Sequence, residues 1–373
     1  MSKPVIVVSA VNITRGGTLQ ILQQCLEYLS TRTEQYQVFA IVHSKELAFH
    51  QGIEYIEIPS AKKSWLARLW CEKVTMNGLS RKLPPVSLWL SLHDTTPRVQ
   101  ATKKAVYCHN SFSFYKAKPR DLCLNYKVFL FSWLTKNFIY RPHIHANDYI
   151  IVQTHWFKKA FQELFSLPQQ KIIVFPPMVP NTAEQTISHS PQSQDSDHIT
   201  TFYYPATADI HKNFEVLCKA SQLLEKQLGK GKFKTILTLK GDENSYARYL
   251  YKRWGTVASI SFVGYQSKYE MNERYRVADA LVFPSKVETW GLPITEFGKY
   301  QRPTLLADLP YAHETAGGLQ VTAYFSPDDP YELATLMHQV IRGDLQSFHP
   351  TAPTPPTPPE AQSWDQLFTQ LLP

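Results

Sequence analysis

Along the first 178 residues, short β-branched runs alternate with stretches whose apolar residues fall at helical spacing, the pattern of a sheet covered by helices. Residues 5–10 form the clearest first strand. They lead into a loop holding Gly16 and Gly17, and then into Leu19, Leu22, Leu26 and Leu29 at helical intervals. Residues 38–42, 86–90, 105–107, 149–152 and 172–175 predict further strands, with a helix over 156–165. Short apolar runs separated by helical stretches favour parallel pairing.

Pro176 and Pro177 break this alternation, and residues 180–199 are polar and proline-containing with few apolar anchors, the composition of a connector. A second alternation predicts strands at 201–204, 235–239, 260–263, 280–283 and 303–306. Helices are expected over 246–254, 269–277 and 330–342, near Phe214, Leu217, Leu224 and Leu228, and from about Pro293. The predicted organisation is a first α/β domain over 1–178, a linker over 179–199 and a second α/β domain over 200–345. A proline-rich segment with a short helix at Trp364, Leu367, Phe368 and Leu371 completes it over 346–373 and is expected to pack back on the first domain. Two doubly wound domains joined by a linker imply a cleft, with ligands beyond the carboxyl ends of the strands.

Composition narrows the chemistry. The chain has 373 residues, 43% apolar and 19% charged, enough for two cores and too apolar for a disordered chain. No stretch reaches the roughly 20 apolar residues of a spanning helix, and the N-terminus carries no signal-peptide pattern. Five cysteines are scattered without a Cys-x-x-Cys pair, which reads as reduced thiols of a cytoplasmic protein. A net charge of +8 favours an anionic partner: nucleic acid, anionic lipid or a phosphorylated small molecule.

Several familiar motifs are missing, among them Gly-x-Gly-x-x-Gly after the first strand, the P-loop and His-Glu-x-x-His. Asp195-Ser196-Asp197 lies in the connector, Asn12-Ile13-Thr14 is a formal glycosylation sequon without a secretion signal, and His143-Ile144-His145 lacks a third metal ligand. No metal site emerges. The informative stretch is 283–296, where a strand ends at Phe283, a loop carries Glu288, and Pro293 opens a helix that holds Glu296 near its start. Carboxylates accept from vicinal hydroxyls of a sugar or ribose, and free N–H groups at a helix start suit phosphate oxygens. The plain alternative is that these acids only offset the helix dipole.

With Phe262-Val263-Gly264-Tyr265, Ala278-Asp279-Ala280, Phe283-Pro284-Ser285, the Glu288-x7-Glu296 pair, Gly291-Leu292-Pro293 and Leu309-Pro310-Tyr311-Ala312-His313-Glu314, the second half resembles retaining GT-B glycosyltransferases of the group 1 type. Tyr204-Pro205-Ala206-Thr207, His211-Lys212-Asn213, Gly16-Gly17 and Tyr107-Cys108-His109-Asn110 extend the likeness over most of the chain. The resemblance implies two Rossmann-like domains facing each other across a cleft, a nucleotide diphosphate sugar as donor, retention at the anomeric carbon, and no metal or other cofactor. It assigns Glu288 to donor-sugar hydroxyls, Glu296 to the ribose, Lys212 to the diphosphate, and the backbone of Trp290, Gly291, Leu292 and Pro293 to sugar and phosphate. Gly16 and Gly17 would approach the phosphates, Tyr265 the base, and His109 the reacting sugar. Thr207 stands where relatives commonly carry Arg, so Lys240 or Lys286 is expected to supply the missing charge.

Basic and aromatic residues interleave over 115–141, as in Tyr115, Lys116, Arg120, Tyr126, Lys127 and Trp133. That mixture suits an anionic membrane or a phosphorylated lipid, and equally a buried helix with basic flanks; no nucleic-acid-binding module accompanies it. The expected acceptor is a saccharide or a polyprenyl-linked saccharide, in bacterial surface polysaccharide assembly, at the cytoplasm or the inner membrane face. The rival readings are a non-catalytic GT-B homologue that binds a sugar nucleotide or a partner transferase, and a GT-B sugar-nucleotide epimerase.

Overall fold

A computed structural model describes residues 3–115, 133, 137, 140–141, 143–178 and 198–372. Most of the 115–141 segment and the linker over 179–197, with its Asp195 and Asp197, lie outside the described residues.

The described chain forms two compact units, each built on a parallel sheet. In the first, β1 (Val5–Ala10), β2 (Gln37–Val42), β3 (Glu54–Glu57), β4 (Val86–Ser91), β5 (Lys103–Tyr107), β6 (Tyr149–Val152) and β7 (Ile172–Val174) are ordered β3-β2-β1-β4-β5-β6-β7. Its helices are α1 (Gly16–Ser30), α2 (Trp65–Trp70), α3 (Met76–Lys82) and α4 (His155–Phe165), with a π-helical turn over Cys71–Thr75 joining α2 to α3. The predicted strands appear with ends shifted by a residue or two, and β3 is an addition. Its Tyr55-Ile56 core is flanked by glutamates at the sheet edge, where one side of the strand has no partner to demand an apolar run.

The second unit orders β8 (Thr200–Tyr204), β9 (Phe233–Leu237), β10 (Ile260–Phe262), β11 (Ala280–Phe283), β12 (Thr304–Ala307) and β13 (Thr322–Phe325) as β10-β9-β8-β11-β12-β13. Covering helices are α5 (Phe214–Leu228), α6 (Ser245–Trp254), α7 (Lys268–Val277), α8 (Leu292–Gly298), α9 (Pro310–Thr315) and α10 (Pro330–Ile341). The edge strand β13 is a further addition: its four residues, Thr322-Ala323-Tyr324-Phe325, are too short and mixed a run to stand out in the sequence. In both sheets strand order reverses beside one central strand, β1 in the first and β8 in the second, and the crevice at its carboxyl end is where such sheets bind ligands.

Residues 356–372 belong to the first unit, while 346–355 stay with the second. The tail ends in α11 (Trp364–Leu371), capped by Ser363 and applying Trp364, Leu367, Phe368 and Leu371 to the core of β1, β2, β4 and α1. Phe368 stacks on Tyr28 with ring centroids 5.3 Å apart. Lys158 is buried and donates to the carbonyls of Thr357 and Pro359, so a cation in α4 ties the proline segment down. Phe368→Ala is expected to cost about 3–5 kcal/mol, the range for emptying a buried aromatic site. Urea unfolding of the full chain measures it.

Candidate functional site

At the carboxyl end of β8 the chain passes Pro205, Ala206 and Thr207 into a short 3₁₀ turn over Ile210–Lys212, and Asn213 then adopts a left-handed conformation before α5. At the carboxyl end of β11, the neighbouring strand, Pro284 and Ser285 lead to Glu288. The two loops are bound together. Lys286 N–H donates to the His211 carbonyl at 2.7 Å, the Asn213 amide donates to the Pro284 carbonyl, and the Tyr311 hydroxyl donates to the Ser285 carbonyl. Tyr204, buried beneath them, donates to the Lys212 carbonyl at 2.8 Å and pairs with the Ser285 hydroxyl. On this scaffold Lys212 Nζ meets Glu288 Oε1 at 2.6 Å, both side chains largely withdrawn from water.

Glu288 and Glu296 are separated by a turn that requires glycine. Gly291 holds φ at +94°, and a Cβ there would approach Ile294 and Phe283 at 3.2 and 3.3 Å. Leu292 and Pro293 then start α8. The Trp290 carbonyl accepts from the Thr315 hydroxyl, which fixes the loop that precedes the turn. Glu296 faces α7, accepting from the Tyr275 hydroxyl at 3.0 Å and pairing with Lys268. Burial pushes the Tyr275 phenol well above its ordinary range, with the Glu296 charge acting in the same sense, so it remains a donor.

Tyr265 follows Gly264 at the carboxyl end of β10 and is 87% exposed, open to a planar ligand. Lys240 and Lys286 are not brought onto the Lys212–Glu288 pair: Lys240 ends on Asp242 at 3.1 Å and Lys286 on Asp328 at 2.9 Å. Lys286 lines a separate cavity of about 570 Å³ with Glu215, Lys219, Arg253 and Trp254. Thr207, in the position that lacks an arginine, bonds Asp209 at 2.6 Å.

In the first unit, Gly16 opens α1 at φ +72° with open space around it, and no side chain caps this helix start. Gly17 follows in the first turn. The uncapped N–H groups at the carboxyl end of β1 suit an anion. His109 follows β5. Both its ring nitrogens are buried without a hydrogen-bond partner. Burial lowers its proton affinity, opposed chiefly by the nearby Asp94 charge.

Asp94 is absent from the sequence reading. Left-handed at φ +69°, its Oδ1 accepts from the backbone N–H groups of His109 and Asn110 and from the Tyr140 hydroxyl, which pins the His109 turn. Its signal was positional: it lies just past β4, the strand beside the switch point. His93 sits next to it, fully buried, contacting Ser9, Ser91 and Thr95, with Glu72 Oε1 3.5 Å from its Nδ1. Burial pushes His93 down to about 4 against the pull of Glu72. Between pH 6.5 and 4 the unfolded chain therefore binds a proton that the native state refuses. Stability should fall as pH drops through that window, by on the order of 3 kcal/mol from this group. Urea titrations at pH 7 and 4.5 should show a smaller difference in His93→Gln.

Among the described residues, no group of three His, Cys, Asp or Glu is arranged to hold a metal. No described helix is long and apolar enough to cross a membrane.

Two parallel-sheet α/β domains with this topology fit the GT-B fold, as the solved structures below bear out. Residues 187–348, less than half of the chain, match the family model for glycosyl transferases group 1. Solved structures of the same fold include the lipopolysaccharide outer core galactosyltransferase WaaB in its apo form, at TM-score 0.61 and 14% identity, over 92% of this chain and 91% of that one. Sucrose-phosphate synthase from Thermosynechococcus elongatus superposes at 0.61 with 13% identity over 92% of each chain. Anabaena HepE in complex with UDP-glucose does so at 0.61 with 13% identity, over 93% and 92%. No curated protein matches the chain in sequence. The family match and the fold together support a glycosyltransferase.

Proposed function

We propose that the protein transfers a sugar from a nucleotide diphosphate sugar to a saccharide or lipid-linked saccharide acceptor, with retention and without a metal. The observation that carries this reading is the Lys212–Glu288 pair at the carboxyl ends of β8 and β11, with Glu296 eight residues beyond Glu288. A cation and a carboxylate side by side match a donor that carries a diphosphate next to sugar hydroxyls. In this account Lys212 swings from Glu288 to the leaving diphosphate and stabilises the charge that develops there. Glu288, released, accepts from the sugar hydroxyls, and Glu296 accepts from the ribose. The backbone from Trp290 to Pro293 lines sugar and phosphate, and Tyr265 stacks on the base. Lys240, exposed and beside the Gly264–Tyr265 turn, or Lys286 could reach the diphosphate only by leaving its aspartate. Gly16, Gly17 and His109 are proposed as the first domain's contacts to the donor.

Retention follows if the departing phosphate takes the acceptor hydroxyl's proton on the face it leaves, so that no second carboxylate is required. Use of a UDP sugar is consistent with the UDP-glucose complex of HepE, and a surface-glycan acceptor with the likeness to WaaB. The test is nucleoside diphosphate release from a donor panel, with and without lipid-linked and free oligosaccharides. Acceptor-dependent release with a product that keeps the donor's anomeric configuration supports the reading. Interconversion of donor without acceptor would mark an epimerase, and binding without turnover a non-catalytic homologue.

A further inference from the structure

The segment from α2 through the π-helical turn to α3 packs inward through Cys71 and Met76, against Val5, Val7, Phe39 and Trp89. A helix covering a sheet ordinarily turns polar residues to water. Here the outer face carries Leu66, Trp70 and Val74, which are 76, 66 and 45% exposed and recur every fourth residue. Around them Lys62, Lys63, Lys73, Arg81 and Lys82 are all exposed. Between Glu57 and Asp94 the sequence has one acid, Glu72, and it is turned into the domain and paired with Arg68 at 2.8 Å. The two flanking acids are also engaged, Glu57 by the Lys45 N–H and Asp94 by the His109 turn.

We propose that this face docks on an anionic lipid bilayer, with Leu66, Trp70 and Val74 entering the headgroup boundary and the five cations facing lipid phosphates. Exposed apolar anchors beside five exposed cations, with the one acid of residues 58–93 paired to Arg68, complement a negatively charged interface better than a neutral one. The orientation has a consequence. Lys62 bonds Thr14 in the loop after β1, and Arg68 donates to the His93 carbonyl just past β4. The docking face therefore borders the strand ends that carry Asp94 and His109, and a bilayer held there lies beside the rim where a lipid-borne acceptor would enter.

The experiment is flotation of the full chain with phosphatidylcholine vesicles with and without phosphatidylglycerol, needing neither donor nor acceptor, so its outcome is independent of the transferase reading. Binding is expected only to the anionic vesicles and should weaken with salt. Leu66→Ser with Trp70→Ser should reduce the partition coefficient by about tenfold or more, since each removes a large apolar contact. Lys63→Glu with Lys73→Glu should do the same through charge. These side chains are exposed, and unchanged thermal melting will show that the variants fold. Equal binding to neutral vesicles, no binding to anionic ones, or undiminished binding by both double variants would overturn the proposal. So would a dimer of the wild type that Leu66→Ser with Trp70→Ser dissociates, because the face would then cover a second copy.

Discussion

Glu288→Gln should lower turnover by about 10²–10³-fold while leaving the fold intact, the loss seen when one aimed polar group at a reacting centre is removed. The side chain keeps its shape and one oxygen. What it loses is the charge that holds Lys212 at 2.6 Å and that accepts strongly from sugar hydroxyls. The loop itself is fixed by Lys286 N–H on His211, Tyr311 on Ser285 and the Gly291 turn, none of which involves the carboxylate. A defect in turnover without a fall in melting temperature is therefore the expected signature. A comparable fall in both would mean that Glu288 acts as a structural strut.

Lys212→Ala should be at least as damaging, because it removes the cation that the structure sets directly against Glu288. About 10²–10³ in turnover is expected from the diphosphate alone, with weaker donor binding in addition. Stability should also move. Glu288 is 13% exposed, and a carboxylate left there without its partner costs about 1–3 kcal/mol. The double variant Lys212→Met with Glu288→Gln separates the effects: it should regain much of the stability and none of the activity. Recovery of activity in the double variant would place catalysis elsewhere.

The second domain was the more legible because its chemistry is local in sequence. Glu288, the Gly291 turn and Glu296 occupy one loop and one helix, and Lys212 follows the neighbouring strand of the sheet, so reading strand ends was enough. The partners of Glu296 were not legible: Tyr275 and Lys268 come from α7, and only tertiary packing turns them towards α8. The partner of Lys286 was not legible either. Its side chain pairs with Asp328 and lines the neighbouring cavity, a partner 42 residues on that only tertiary packing supplies.

In the first domain the sequence marked His109 and Gly16 but missed Asp94, whose role depends on a left-handed backbone and on three donors brought from His109, Asn110 and Tyr140. It made no prediction for the α2–α3 region. The apolar residues there satisfy a helical period, yet period alone does not tell which of two faces meets the sheet; the inward set of Cys71 and Met76 does.

The most direct test of the account is thermal unfolding of the wild type, Lys212→Ala and Glu296→Ala against UDP, GDP, ADP and dTDP sugars, since a ligand that binds only the native state raises its melting temperature. The account predicts that one nucleotide class stabilises the wild type and that both substitutions greatly reduce the shift. No shift with any donor, or a full shift retained in both variants, would contradict it.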